Sequence, residues 1–67
     1  MKMKTYELVN NETTPLPIGA VLYELPENEL TPTEKVLIEK EKHRDPIPCR
    51  TIDGIRQLIP YEHLQEI

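Results

Sequence analysis

Polar and apolar residues alternate from the start of the chain. In Lys4-Thr5-Tyr6-Glu7-Leu8-Val9, Tyr6 and Leu8 fall between Thr5 and Glu7, the period of a strand with one buried face. The cluster from Asn10 to Pro17 is rich in turn formers and carries two prolines that cannot donate to a ladder, so it predicts a loop. From Ile18 to Leu25 apolar groups occupy both faces, as in a strand at the middle of a small sheet, with Gly19 marking a bend or bulge. Thr31-Pro32-Thr33-Glu34 then matches a helix start, with Thr31 as N-cap, Pro32 at the first helical position and Glu34 reaching back. A short helix near residues 32–42 is expected, although Val36 and Ile38 would also alternate in a strand. Asp45 precedes Pro46 and is pushed out of the helical region, so that element ends there and a strand begins at Ile47.

The last third of the chain carries the clearest hairpin signal, Asp53-Gly54 between two apolar runs. A two-residue turn would leave both faces half apolar. A three-residue turn, with Ile52 and Asp53 in a type I turn and Gly54 left-handed, sorts them better. It gathers Ile47, Cys49, Thr51, Ile55 and Ile59 on an inner face and sets Arg50 opposite Arg56 on the outer one. After Pro60, the stretch from Tyr61 to Ile67 predicts a short helical turn that folds Leu64 and Ile67 back on the sheet. The expectation is one unit over residues 1–67, α+β or mostly β, with an antiparallel sheet of about four strands.

Composition narrows what such a unit can do. At 67 residues, with 37% hydrophobic and no Trp or Phe, folding hides only about 60% of the unfolded surface. A homodimer, or a seat on a partner, is one way to gain the missing burial. The net charge of −4 opposes diffuse attraction to phosphate backbones, so nucleic acid is disfavoured as a partner. No apolar run is long enough to cross a bilayer and no hydrophobic signal region follows the opening lysines, so a cytoplasmic protein without a membrane partner is expected. The single cysteine, Cys49, agrees with a reducing compartment.

Leu16-Pro17-Ile18-Gly19-Ala20-Val21, together with the late hairpin ending in Ile59-Pro60-Tyr61-Glu62-His63-Leu64-Gln65-Glu66-Ile67, resembles SH3-like small barrels, including ones found in phage and prophage genomes. In those barrels a Gly opens the second strand and a short 3₁₀ turn precedes the final leucine. The acidic middle segment departs from the pattern, because a helix at 32–42 replaces a barrel strand or fills a long loop. The resemblance implies a partly open barrel that serves binding, such as a phage- or prophage-encoded modulator or inhibitor of a host protein. It carries over no functional residue.

The chemistry available in the sequence is sparse. Cys49 with His43 or His63 has the residue types of a thiol nucleophile and its base, but a mid-strand inner cysteine behaves as a small hydrophobe. His43, Asp45, Cys49 and His63 have no recognised metal-ligand spacing, and the histidines are expected in solvated loops. Gly19 and Gly54 are too far apart for a phosphate-cradling loop, and Glu39 and Glu41 lie among lysines. No catalytic residue, metal or cofactor is expected.

Surface chemistry then decides the functional reading: a small non-enzymatic protein-interaction module whose partner-binding residues are Arg50, Arg56, Leu58 and Tyr61. The two arginines either pair with Glu62, Glu66 or nearby acids, or accept a partner's carboxylate, with Leu58 and Tyr61 supplying apolar contact. Three other classes stay open. The same arginines with Tyr61 stacking on a base would contact nucleic acid. Alternatively Glu27, Glu29, Glu34, Glu39 and Glu41 would form an acidic inhibitory surface, or the chain would be a self-associating structural subunit.

Overall fold

The computed structural model describes residues 3–67; Met1 and Lys2, which belong to the expected 1–67 unit and its opening lysines, lie outside the described residues. The alternating start forms β1, Thr5–Leu8, with Tyr6 and Leu8 buried and Glu7 exposed between them. The second apolar run becomes β2, Val21–Glu24, three residues later than its first apolar side chain. The delay has a local cause. Gly19 takes φ +92, a left-handed value that disfavours side chains, and its N–H donates to Leu8 O at 2.8 Å, so the chain turns there before it extends.

The capping box forms as the spacing dictates. Thr31 Oγ1 accepts from Glu34 N at 3.1 Å, Thr31 N donates to Glu34 Oε1 at 2.9 Å, and α1 runs over Pro32–Lys40. A 3₁₀ turn over Lys42–Arg44 follows, and Asp45 leaves the right-handed helical region at φ 50, with β3 starting at Pro46. The hairpin adopts the three-residue turn. Thr51 N donates to Ile55 O at 3.0 Å, Gly54 has φ +88, and β3, Pro46–Arg50, pairs with β4, Arg56–Pro60, so that Arg50 faces Arg56 and Ile47 faces Ile59. Cys49 and Ile59 are fully buried and Ile47 packs against them. Thr51 and Ile55 keep the expected parity, but they lie at the hairpin tip, past the end of the core, and Ile55 is exposed.

Among the described residues the sheet has five strands, not about four. A 3₁₀ turn over Tyr61–His63 leads into β5, Leu64–Glu66, antiparallel to β1 with Leu8 facing Leu64 and Tyr6 facing Glu66. The expected terminal helical turn is therefore limited to those three residues. Leu64 is buried as anticipated, but Ile67 is 70% exposed and does not dock. Extended backbone alternates its faces at each step, so Leu64 and Ile67, three apart, cannot share one. The order across the sheet is β4-β3-β2-β1-β5, every pair antiparallel. One cluster of Tyr6, Leu8, Leu22, Cys49, Ile59 and Leu64 draws on all five strands, with Leu16 and Ala20 of the β1–β2 loop packed against it. Thr14 of the same loop is buried and donates to Gln57 Oε1 at 3.3 Å, which ties the loop to the inner side of β4. None of the α1 residues is buried, and no helix of the described residues is long and apolar enough to cross a membrane.

Candidate interaction surface

Arg50, Arg56 and Leu58 share the outer face of the β3–β4 hairpin, because β-strand side chains alternate and Arg50 lies directly across from Arg56. Neither arginine meets Glu62 or Glu66. The loop that carries α1 brings Glu34 over β4, where Arg56 Nε donates to Glu34 Oε2 at 2.8 Å and Arg56 Nη2 to Glu34 Oε1 at 2.7 Å. The same Nη2 also donates to Glu29 O at 2.8 Å. This two-pronged pairing is the strong geometry for a guanidinium and a carboxylate. Hydrogen bonds from Arg56, then from the Thr31 backbone, hold the Glu34 carboxyl down to about 2, and the Arg56 guanidinium is raised in turn. The carboxylate that the two opposed arginines required is thus supplied from within the chain.

Arg50 is disposed differently. Its guanidinium lies over the Tyr23 ring, 5.2 Å from the centroid, and Nη1 donates to Thr51 O at 3.1 Å. Tyr23 faces Arg50 across β2 and β3, and Val21, two residues earlier on the same outer face, is exposed. Tyr61 stands apart, 48% exposed in the 3₁₀ turn, with its N–H donating to Asp45 O at 3.1 Å and its side chain beside His43, Arg44, Asp45 and Glu62. Three of the four expected residues are neighbours, and the fourth belongs to another part of the surface.

Glu34 and Tyr23 join this face without any signal in the sequence that places them there. Glu34 is legible only as a capping residue, and no spacing rule connects it to an arginine 22 positions later. His63, expected in a solvated loop, is buried, with Nδ1 lacking a hydrogen-bond partner and Nε2 4.0 Å from Glu62 Oε1.

Among the described residues Cys49 hydrogen-bonds to neither histidine. The thiol is fully buried and donates to Gln57 O at 3.6 Å, while burial, and then the nearby Glu24 carboxylate, push it up to about 12. A thiol so held is almost wholly protonated at neutral pH and is a poor nucleophile. Cys49 is expected to resist a thiol-specific reagent in the native chain at pH 8 and to react fully in denaturant. Fast labelling without denaturant would show that the core opens at that strand. Among the described residues no group of three or more His, Cys, Asp or Glu side chains is placed to hold a metal ion. No family model matches the chain, and no curated protein or solved structure matches it.

Proposed function

We propose that this chain is a non-enzymatic protein-interaction module built on an SH3-like small barrel and acting as a modulator or inhibitor of the protein it binds. The barrel reading is supported by the antiparallel order β4-β3-β2-β1-β5, by Gly19 before β2 and by the 3₁₀ turn that precedes Leu64. The observation that carries the functional reading is the outer face of β2 and β3, where Arg50 over Tyr23, with Val21 beside them, forms an amphipathic cluster. Arginine and tyrosine are the residue types that anchor protein interfaces, and here they are already positioned by the sheet. Arg56 is taken by Glu34, which leaves Arg50 as the outer-face arginine without a carboxylate partner among the described residues and favours a protein over a phosphate backbone as the ligand of this face.

The test is retention of a partner from lysate of the source cell by the tagged chain, after nuclease treatment and with a parallel sizing run. A single stoichiometric protein is expected, and Arg50→Ala should weaken its retention by about tenfold or more. Recovery of nucleic acid that disappears with nuclease, or of a second copy of the chain alone, would remove the proposal. Retention unaffected by Arg50→Ala would move the interface off this face.

A further inference from the structure

The free edge of β4 and the α1 segment form a groove that joins Arg56 and Leu58 of the expected face to Glu34, Leu37 and Glu41. Within the described residues β4 pairs only with β3, so its other side has no strand partner. The parity of its backbone follows from two bonds. Thr51 N to Ile55 O fixes that pair as hydrogen-bonded, and Leu25 N to Pro48 O shows Pro48 turned toward β2. Antiparallel pairs alternate, so Gln57 and Ile59 point their N–H and C=O groups at β3, while those of Arg56 and Leu58 point outward. Three consecutive residues, Arg56, Gln57 and Leu58, line one groove of about 270 Å³, which therefore runs along the strand edge rather than across a face. Its far wall is one face of α1 and its end: Glu34, Leu37 and Glu41.

Spacing and charge define what fits. Leu37 and Glu41 are separated by about 6 Å of helical rise, close to the roughly 6.7 Å between side chains two apart on an extended strand. Leu37 and Leu58 provide apolar surface. Glu34 is neutralised by Arg56, whereas the Glu41 carboxylate has no ion-pair partner among the described residues, so the groove holds one uncompensated negative charge. We infer that the β4 edge binds an extended segment of a partner protein as an added strand, with an apolar residue against Leu37 and Leu58 and a basic residue two positions away against Glu41. This rests on the protein-interaction reading and specifies a second contact for it. Pro60 has no N–H, so strand addition stops there, which keeps the edge short and limits indiscriminate pairing.

The experiment pans a random peptide library on the immobilised full chain and maps the enriched peptides by amide shifts of the isotope-labelled protein. Enriched sequences should carry an apolar and a basic residue two apart and shift the Arg56 and Leu58 amides. Leu58→Pro removes one outward N–H without touching the ladder to β3, and Glu41→Lys reverses the uncompensated charge; each should weaken binding by about tenfold. Glu41→Lys is exposed and keeps the test valid if the proline variant does not fold. No enrichment of that pattern, shifts confined to other residues, or equal binding by both variants overturns the groove. So does a sizing run in which the chain is dimeric and the same amides are already protected, since the occupant is then a second copy. A cellular protein retained equally by both variants would leave the interaction module standing and remove only this site.

Discussion

Ile59→Ala is expected to leave the chain largely unfolded at room temperature. Ile59 is fully buried on β4, faces Ile47 across the hairpin and belongs to the cluster of six side chains to which all five strands contribute. Truncating a buried isoleucine costs about 2–5 kcal/mol, from the lost transfer of apolar surface and from the cavity left behind. A chain of 67 residues has a total stability of roughly 3–10 kcal/mol at ordinary values per residue, and one this poor in apolar residues lies toward the low end. Urea unfolding followed by circular dichroism gives the comparison. Ile52→Ala is the control: Ile52 sits at the hairpin tip, 79% exposed, and its truncation should fall within about 0.5 kcal/mol of wild type. If the two variants unfolded at the same urea concentration, the core would not lie where the cluster places it.

Glu34→Gln should release α1 from the sheet while leaving the helix its cap. Glutamine can still reach back to the Thr31 N–H, as glutamate does here, so the capping box survives and only the charged pairing with Arg56 is lost. Since α1 buries none of its residues, that pairing and the Arg56 bond to Glu29 O are the main polar ties between this segment and β4. Amide hydrogen exchange over Pro32–Lys40 should accelerate severalfold in the variant, with β1 and β2 unchanged. Unchanged exchange in α1 would mean that its few contacts with β3 suffice to hold it. The same pair sets a pH dependence. The Glu34 carboxyl is lowered from 4.5 to about 2 in the folded chain, so its contribution is fully present above pH 4.5 and disappears as the pH falls to about 2. Glu34→Gln should therefore narrow the stability gap between neutral and acid pH, and an unchanged gap would show that the pairing with Arg56 adds nothing to the fold.

The α1 segment also explains why the two opposed arginines do not act as a pair. Two guanidinium groups opposed on a sheet surface require an anion, and the chain's own excursion between β2 and β3 delivers one to Arg56. Arg50 is left with Tyr23, and Leu58 is left at the edge groove beneath the helix. The two contacts proposed above are therefore separate, one on the outer face at Arg50 and one at the β4 edge groove, and single substitutions at Arg50 and Glu41 distinguish them.

Local chemistry is legible in the amino-acid sequence alone. The three-residue turn around Gly54 follows from which register sorts Cys49 and Ile59 inward, and the capping box follows from Thr31 and Glu34 three positions apart; both depend on residues close together along the chain. The mid-sheet place of β2 is likewise written in its apolar residues on both faces. The loop from Asn10 to Pro17 and the burial of Cys49 are determined in the same way. Only the tertiary structure decided β5, because Leu64–Glu66 is too short to show a period and is extended by its pairing with β1 at the other end of the chain. Only the tertiary structure gave Arg56 its carboxylate, laid Arg50 on Tyr23 and left the outer edge of β4 open beneath α1. Turn and cap preferences are set by local backbone sterics and hydrogen bonds, which a short window of sequence records. Contacts between distant segments exist only once the common core closes, and no spacing along the chain encodes them.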